Sequence, residues 1–85
     1  MATQWGLLFR RCVAIRRIKR MERHYDSLLA APNSHAQLIL SHYYSSGRWL
    51  RDYELDEQGL LPRDLKRGVL SQDGLWNLLQ ERGPV

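Results

Sequence analysis

The fold is decided by residues 14–43, which read AIRRIKRMERHYDSLLAAPNSHAQLILSHY. Apolar side chains recur there at spacings of three and four residues, which is the period of one face of an α-helix. They are Ala14, Ile18, Met21, Tyr25 and Leu28 before the interruption at Pro32, and Ala36, Ile39, Leu40 and Tyr43 after it. Proline stops a helix because it lacks the amide hydrogen and disfavours helical geometry in the preceding residue. The stretch therefore predicts two antiparallel helices in a hairpin.

The ends of these two helices follow from the residues around them. The first is expected to run from about Trp5 or Phe9 to Ala31. Asn33 or Ser34 can cap the second, because short polar side chains accept hydrogen bonds from the first amides of a helix. Residues 45–47, Ser-Ser-Gly, are expected to end it.

Downstream of the hairpin the pattern predicts shorter helical segments. One begins near Arg48, has its buried side at Trp49, Leu50 and Tyr53, and is followed by Gly59 at a left-handed position. Residues 62–67 are expected to form a brief helical turn closed by Gly68. A last helix is capped by Ser71 and carries its core face at Leu75, Trp76, Leu78 and Leu79. The predicted fold class is all-α: a helical hairpin followed by two or three short helices packed against it.

The domain organisation follows from the length and the charge pattern. A chain of 85 residues has room for one hydrophobic core. Residues 1–20 carry six Lys or Arg and no acid, whereas residues 21–85 carry seven Lys or Arg against nine acids. We therefore expect a basic and apolar N-terminal extension at 1–15 continuous with helix 1, a single helical domain at 16–82, and a frayed tail at 83–85.

Cysteine content and hydropathy bear on the compartment. The single cysteine, Cys12, cannot form an internal disulfide, which favours a reducing setting. The longest apolar run is far shorter than the roughly 18 residues that a membrane-spanning helix needs. These features predict a cytoplasmic protein.

Residues 52–71 carry a long, ungapped motif that reads DYELDEQGLLPRDLKRGVLS. Together with Arg17-Ile18 and Met21-Glu22 upstream, it resembles the signature half of a bacterial small-protein family catalogued as a domain of unknown function, number forty-two ninety-eight. The resemblance covers about residues 16–81. It implies a helical, cytosolic protein encoded by a bacterium or phage, and it supplies no activity, ligand or catalytic residue.

Basic residues near the start of the chain are the strongest candidate binding site. They are Arg10, Arg11, Arg16, Arg17, Lys19 and Arg20. On a helix they could meet an acidic protein surface or the phosphates of a nucleic acid. A third interpretation, and the least favoured binding mode, is an anionic membrane surface with the apolar residues at 5 and 7–9 as anchors. The fourth is a solvated helix face that balances the acidic half of the same fold.

Aromatic residues offer a second candidate contact surface, made of Tyr44, Trp49 and Trp76. Exposed aromatic residues, like arginines, are frequent anchors in protein interfaces. The alternative is that most of them fill the core of so small a domain.

No motif in the sequence predicts catalysis or metal binding. Asp52, Glu54 and Asp56 alternate like the start of a calcium loop, but Arg63 stands at the twelfth position, where such loops need a bidentate glutamate. His24 and His42 could face each other across the hairpin, but two ligands are too few for a structural zinc site. We therefore predict no catalytic residue, no metal and no cofactor.

These observations predict a non-enzymatic protein-interaction or regulatory module. Its expected partner is a protein of unknown identity, and a second copy of the chain is a further candidate. The alternative is nucleic-acid association through the basic residues between positions 10 and 20.

Overall fold

The computed structural model describes residues 2–81, apart from the side chains of residues 2–5 and 7. It is all-α over that range, which confirms the predicted fold class. The predicted frayed tail at 83–85 lies outside the described residues. In chain order the elements are α1 (Ala2–Ala30), α2 (Ser34–Ser45), α3 (Arg48–Glu57), one turn of 3-10 helix (Gly68–Leu70) and α4 (Gln72–Glu81).

The first two helices pack against each other as an antiparallel hairpin. Asn33 caps α2, since its Oδ1 accepts a hydrogen bond from the Ala36 amide at 3.1 Å. Its Nδ2 also donates to Ser27 Oγ at 3.0 Å, which fastens the turn to the end of α1. The core between the helices is formed by the predicted stripes, including Ile18, Met21, Leu28, Ala36, Leu40 and Tyr43. The apolar period therefore positioned the hairpin correctly.

Two glycines make the turns at either end of α3. Gly47 has φ +87° and Gly59 has φ +71°, and both values lie in the left-handed region. A residue with a Cβ is strained there, so glycine is favoured at both places. These turns direct α3 back across the hairpin.

The segment between α3 and α4 corrects one expectation. The helical turn predicted at residues 62–67 is limited to one hydrogen-bonded turn, in which the Leu65 amide donates to the Pro62 carbonyl at 3.2 Å. The 3-10 helix lies at Gly68–Leu70. The Arg67 guanidinium donates to the carbonyl oxygens of Pro62 and of Leu65, the latter at 3.2 Å. The Pro62 carbonyl therefore accepts from both the Leu65 amide and the Arg67 side chain. Leu61, Leu65, Val69 and Leu70 then join the core.

Two predicted core positions are exposed. Leu50 is 51% exposed and Trp76 is 50% exposed. In α3 the buried positions are Trp49 and Asp52, three residues apart, so Leu50 lies about 100° around the helix from Trp49. In α4 the buried positions are Leu75 and Leu78, which leaves Trp76 on the outer side for the same geometric reason.

Candidate functional site

The six basic residues proposed from the sequence, all in α1, do not form one surface. Arg10, Arg16, Lys19 and Arg20 are exposed, whereas Arg11 and Arg17 are partly buried. The acid-free part of α1 therefore presents four cations to solvent. Arg17 has a different role, because its guanidinium is held inside the fold.

Arg17 belongs to a buried polar cluster with Asp52 and Tyr43, which joins the first three helices. Its Nε and Nη2 donate to the two carboxylate oxygens of Asp52 at 2.9 and 2.5 Å. The Tyr43 hydroxyl donates to Asp52 Oδ2 at 2.6 Å. The Asp52 side chain is fully buried, so these donors replace the water that a carboxylate otherwise needs.

The same cluster shifts the pKa values of the two donors. The hydrogen bond to Asp52 raises the pKa of Arg17, although partial burial opposes this effect. Burial, followed by the hydrogen bond to Asp52, raises the pKa of Tyr43 well above its ordinary value. Both groups therefore keep their protons and remain hydrogen-bond donors to Asp52 over the whole physiological pH range.

Glu22 anchors the 3-10 turn to α1. Its Oε1 accepts a hydrogen bond from the Val69 amide at 2.5 Å. Lys66 Nζ lies 3.8 Å from Glu22 Oε2 and 2.6 Å from Asp26 Oδ2. A Cβ added at Gly68 would lie 3.2 Å from Glu22 Oε1, so a larger residue would require the Glu22 side chain to shift. These contacts give four residues of the quoted motif and its upstream part a structural role.

Trp49 is a core residue rather than a surface contact. It is 5% exposed, and its indole Nε1 donates to the Val69 carbonyl at 2.9 Å. Its ring lies 5.1 Å from the Tyr44 ring and 5.1 Å from the Tyr53 ring, centroid to centroid. The aromatic patch proposed from sequence is corrected at this position, because the Trp49 side chain is covered. Tyr44 is partly buried beside it, and Trp76 is exposed.

Asp56 and Arg67 form a further ion pair within the motif. The pair joins the end of α3 to the segment that precedes the 3-10 turn. The buried Asp52 was not foreseen. The sequence feature that could have indicated the burial of Asp52 is its position three residues after Trp49, on the same face of α3.

A groove between α1 and α3 is lined by two exposed apolar residues of the N-terminal part of α1. Phe9 is 70% exposed and Val13 is 38% exposed, and they lie four residues apart on one side of α1. Their groove, which we call the α1–α3 groove, has a volume of about 620 Å³. It is lined by Phe9, Arg10, Val13 and Arg17 from α1, and by Arg51, Glu54, Leu55 and Gln58 from α3 and its end.

Other candidate sites have little support in the described part of the chain. His24 lies against His35, with ring centroids 5.9 Å apart. Among residues 2–81, no three His, Cys, Asp or Glu side chains are placed to hold a metal ion. Nor does any helix in this range have the length and apolarity to cross a membrane. Of the apolar anchors considered for a membrane surface, the side chains of residues 5 and 7 lie outside the description, while Leu8 and Phe9 are exposed.

Comparison with known proteins gives one family and no individual relative. No curated protein and no solved structure matches the chain. The family model described as "Domain of unknown function (DUF4298)" matches residues 18–84. The matched range contains all of α2, α3, the 3-10 turn and α4, and most of the core stripe of α1. The start of α1 with Phe9 and Val13 lies outside it. The chain therefore belongs to the DUF4298 family.

Proposed function

We propose that this protein is a non-enzymatic interaction module that binds a partner protein through the α1–α3 groove. The observation that carries the proposal is the exposure of Phe9 and Val13, at 70% and 38%, which line this groove from α1. Large apolar side chains grouped on a small domain mark a surface that another molecule covers. A regulatory role, in which the module modifies a larger complex, fits a chain with this architecture.

The charges around the groove define the chemistry of the partner. Arg10, Arg17 and Arg51 line it with a single acid, Glu54. Arg17 is already neutralised by Asp52, so Arg10 and Arg51 set the sign of the rim. A partner surface with an apolar centre and acidic residues around it would complement both the apolar centre and the basic rim of the groove.

The location of the groove supports a role specific to this protein. Its α3 wall belongs to the family match, whereas Phe9, Arg10 and Val13 precede residue 18. Asp52, Asp56 and Val69 of the family motif make contacts that hold the fold together. We propose a cytoplasmic setting for this role because the single cysteine favours a reducing compartment.

A cross-linking experiment tests the proposed protein contact. A photo-reactive phenylalanine analogue is placed at Phe9 in one variant and at Trp76, also exposed, in a second. In host cells, position 9 is expected to cross-link to one protein that position 76 does not reach. With that protein purified, Phe9→Ser should weaken binding about tenfold or more, and Trp76→Ser should leave it unchanged.

Two results would overturn the proposal. The first is a position-9 adduct that contains only a second copy of the chain, which would make the groove a self-association surface. The second is a purified partner whose affinity for the Phe9→Ser variant equals its affinity for the unaltered chain. An adduct peptide that is basic rather than acidic would contradict the proposed partner chemistry.

Nucleic-acid association is the second candidate function, and the four exposed cations of α1 favour it. Arg10, Arg16, Lys19 and Arg20 reach solvent on a helix stretch without an acid. Four phosphate contacts predict that the logarithm of the binding constant for duplex DNA falls with the logarithm of salt concentration at a slope of about −3.6. Titrating labelled DNA and RNA at several salt concentrations measures this slope. Arg16→Gln should reduce its magnitude by about 0.9, and an absence of binding at low salt would remove this candidate.

A further inference from the structure

A second concave surface lies between α1 and α2, at the point where α3 begins. It has a volume of about 790 Å³, within the range of about 300–1,000 Å³ usual for small-molecule sites. Three arginines, one from α3 and two from α1, line it together with a histidine of α2. We call this surface, lined by Arg17, Arg20, His42 and Arg48, the basic cleft. None of its described lining residues is an acid.

Two of the three arginines carry charge that the fold does not compensate. Arg17 is paired with Asp52, so its charge is balanced inside the protein. Arg20 and Arg48 are exposed, and neither side chain makes an ion pair with a residue in the range 2–81. Guanidinium groups bind phosphate and carboxylate oxygens with paired, charge-assisted hydrogen bonds. These two side chains, from different helices, are therefore available to hold one anionic group.

Apart from Ser41 and Ser45, the remainder of the cleft lining is apolar. Met21 from α1 and Leu38, Ile39 and Tyr43 from α2 form its walls. Met21 is 6% exposed and belongs to the core, whereas Leu38 is 72% exposed at the edge. Such a surface suits the body of an organic molecule, because a flat or aromatic group removes apolar area from water on both sides.

We infer that the basic cleft binds a small organic oxyanion. An aromatic or other apolar body lies against Met21 and Ile39, and a phosphate or carboxylate group is bound by Arg20 and Arg48. This inference is independent of the proposed protein contact, because the cleft and the α1–α3 groove share only Arg17, which Asp52 already occupies. The site also lies within the family match, apart from Arg17.

A set of four probes separates the apolar contribution from the charge. Phenyl phosphate and benzoate combine a ring with an oxyanion, inorganic phosphate lacks the ring, and phenol lacks the charge. The full chain, labelled with nitrogen-15, is titrated with each probe while its amide resonances are recorded. We expect phenyl phosphate or benzoate to bind more tightly than phosphate and phenol, with shifts concentrated at residues 20–21, 38–45 and 48. The stronger of the two binders identifies the oxyanion group.

Variants with altered charge test the role of the arginines. Arg20→Gln and Arg48→Gln should each weaken binding of the preferred probe by about tenfold, because each removes charge-assisted hydrogen bonds. Arg63→Gln is the matched control, since Arg63 is exposed and does not line the cleft. The dispersion of the amide resonances verifies that each variant is folded.

The inference is overturned by any of three results. The first is that phosphate or phenol binds as tightly as the combined probes, which would remove the need for a cleft with both properties. The second is that Arg20→Gln and Arg48→Gln bind the preferred probe with the same affinity as Arg63→Gln. The third is that the resonance shifts lie outside the cleft, for example along α4, which would assign the probe to another surface.

Discussion

Replacing Trp49 by alanine is expected to lower the free energy of unfolding by about 3–5 kcal/mol. The indole is buried between Tyr44 and Tyr53, and its Nε1 donates to the Val69 carbonyl at 2.9 Å. The substitution leaves a cavity in the core and removes the donor from a buried carbonyl, and both changes destabilise the folded state. Urea unfolding followed by circular dichroism measures the loss.

Trp76→Ala is the matched control for this prediction. Trp76 is 50% exposed, in contrast to 5% for Trp49, so we expect its truncation to cost about 1 kcal/mol or less. The two variants remove the same side chain from the same domain. Equal losses of stability would contradict the assignment of Trp49 to the core and Trp76 to the surface.

Asp52→Ala is expected to destabilise the protein by about 3–5 kcal/mol. The change leaves the Arg17 guanidinium and the Tyr43 hydroxyl without the carboxylate that both contact. The lower end of the range is expected, because the Arg17 side chain is 17% exposed and can regain some hydration. Since the free energy of unfolding of a domain is about 5–15 kcal/mol, this variant is expected to be only marginally folded. Denaturant unfolding at neutral pH gives the value.

Two controls separate the buried charge from general effects of removing an acid. Asp64 is exposed, so Asp64→Ala should change stability by no more than about 0.5 kcal/mol. The double variant Arg17→Met with Asp52→Leu should be more stable than Asp52→Ala alone, because it leaves no unpaired buried charge. The stability loss of this double variant is compared with the sum of the losses of Arg17→Met alone and Asp52→Leu alone. Equal values would show that the ion pair itself, rather than the removal of an uncompensated charge, provides the stability.

The structure gives the family motif a physical explanation. Asp52 pairs with Arg17, Asp56 with Arg67, and Gly68 leaves room for Glu22. Val69 is held at both backbone groups, since its amide donates to Glu22 and its carbonyl accepts from Trp49. These motif residues therefore join α1, α3 and the 3-10 turn. A protein with this motif is expected to share the fold.

The apolar period of the sequence was sufficient to predict the hairpin. Ile18, Met21 and Leu28 face Ala36, Leu40 and Tyr43 because the helical repeat places each set on one side. The helix caps could also be predicted from the local sequence, because Asn33 and Gly59 act on neighbouring backbone atoms. The basic side chains of α1 could be identified in the same way, but not which of them reach solvent. That distinction depends on residues far away along the chain.

The sequence by itself therefore determined the features that depend on residues within one or two helical turns of each other. These features are the all-α class, the hairpin and the turns at its ends. Only the tertiary structure decided that Trp49 is buried while Trp76 is exposed, and that Arg17 is paired while Arg20 is available. Arg17 and Asp52 are 35 positions apart, and their contact requires α3 to pack against α1. The physical reason is that burial and ion pairing are set by the surfaces that other elements present, whereas helical periodicity is a property of the local chain.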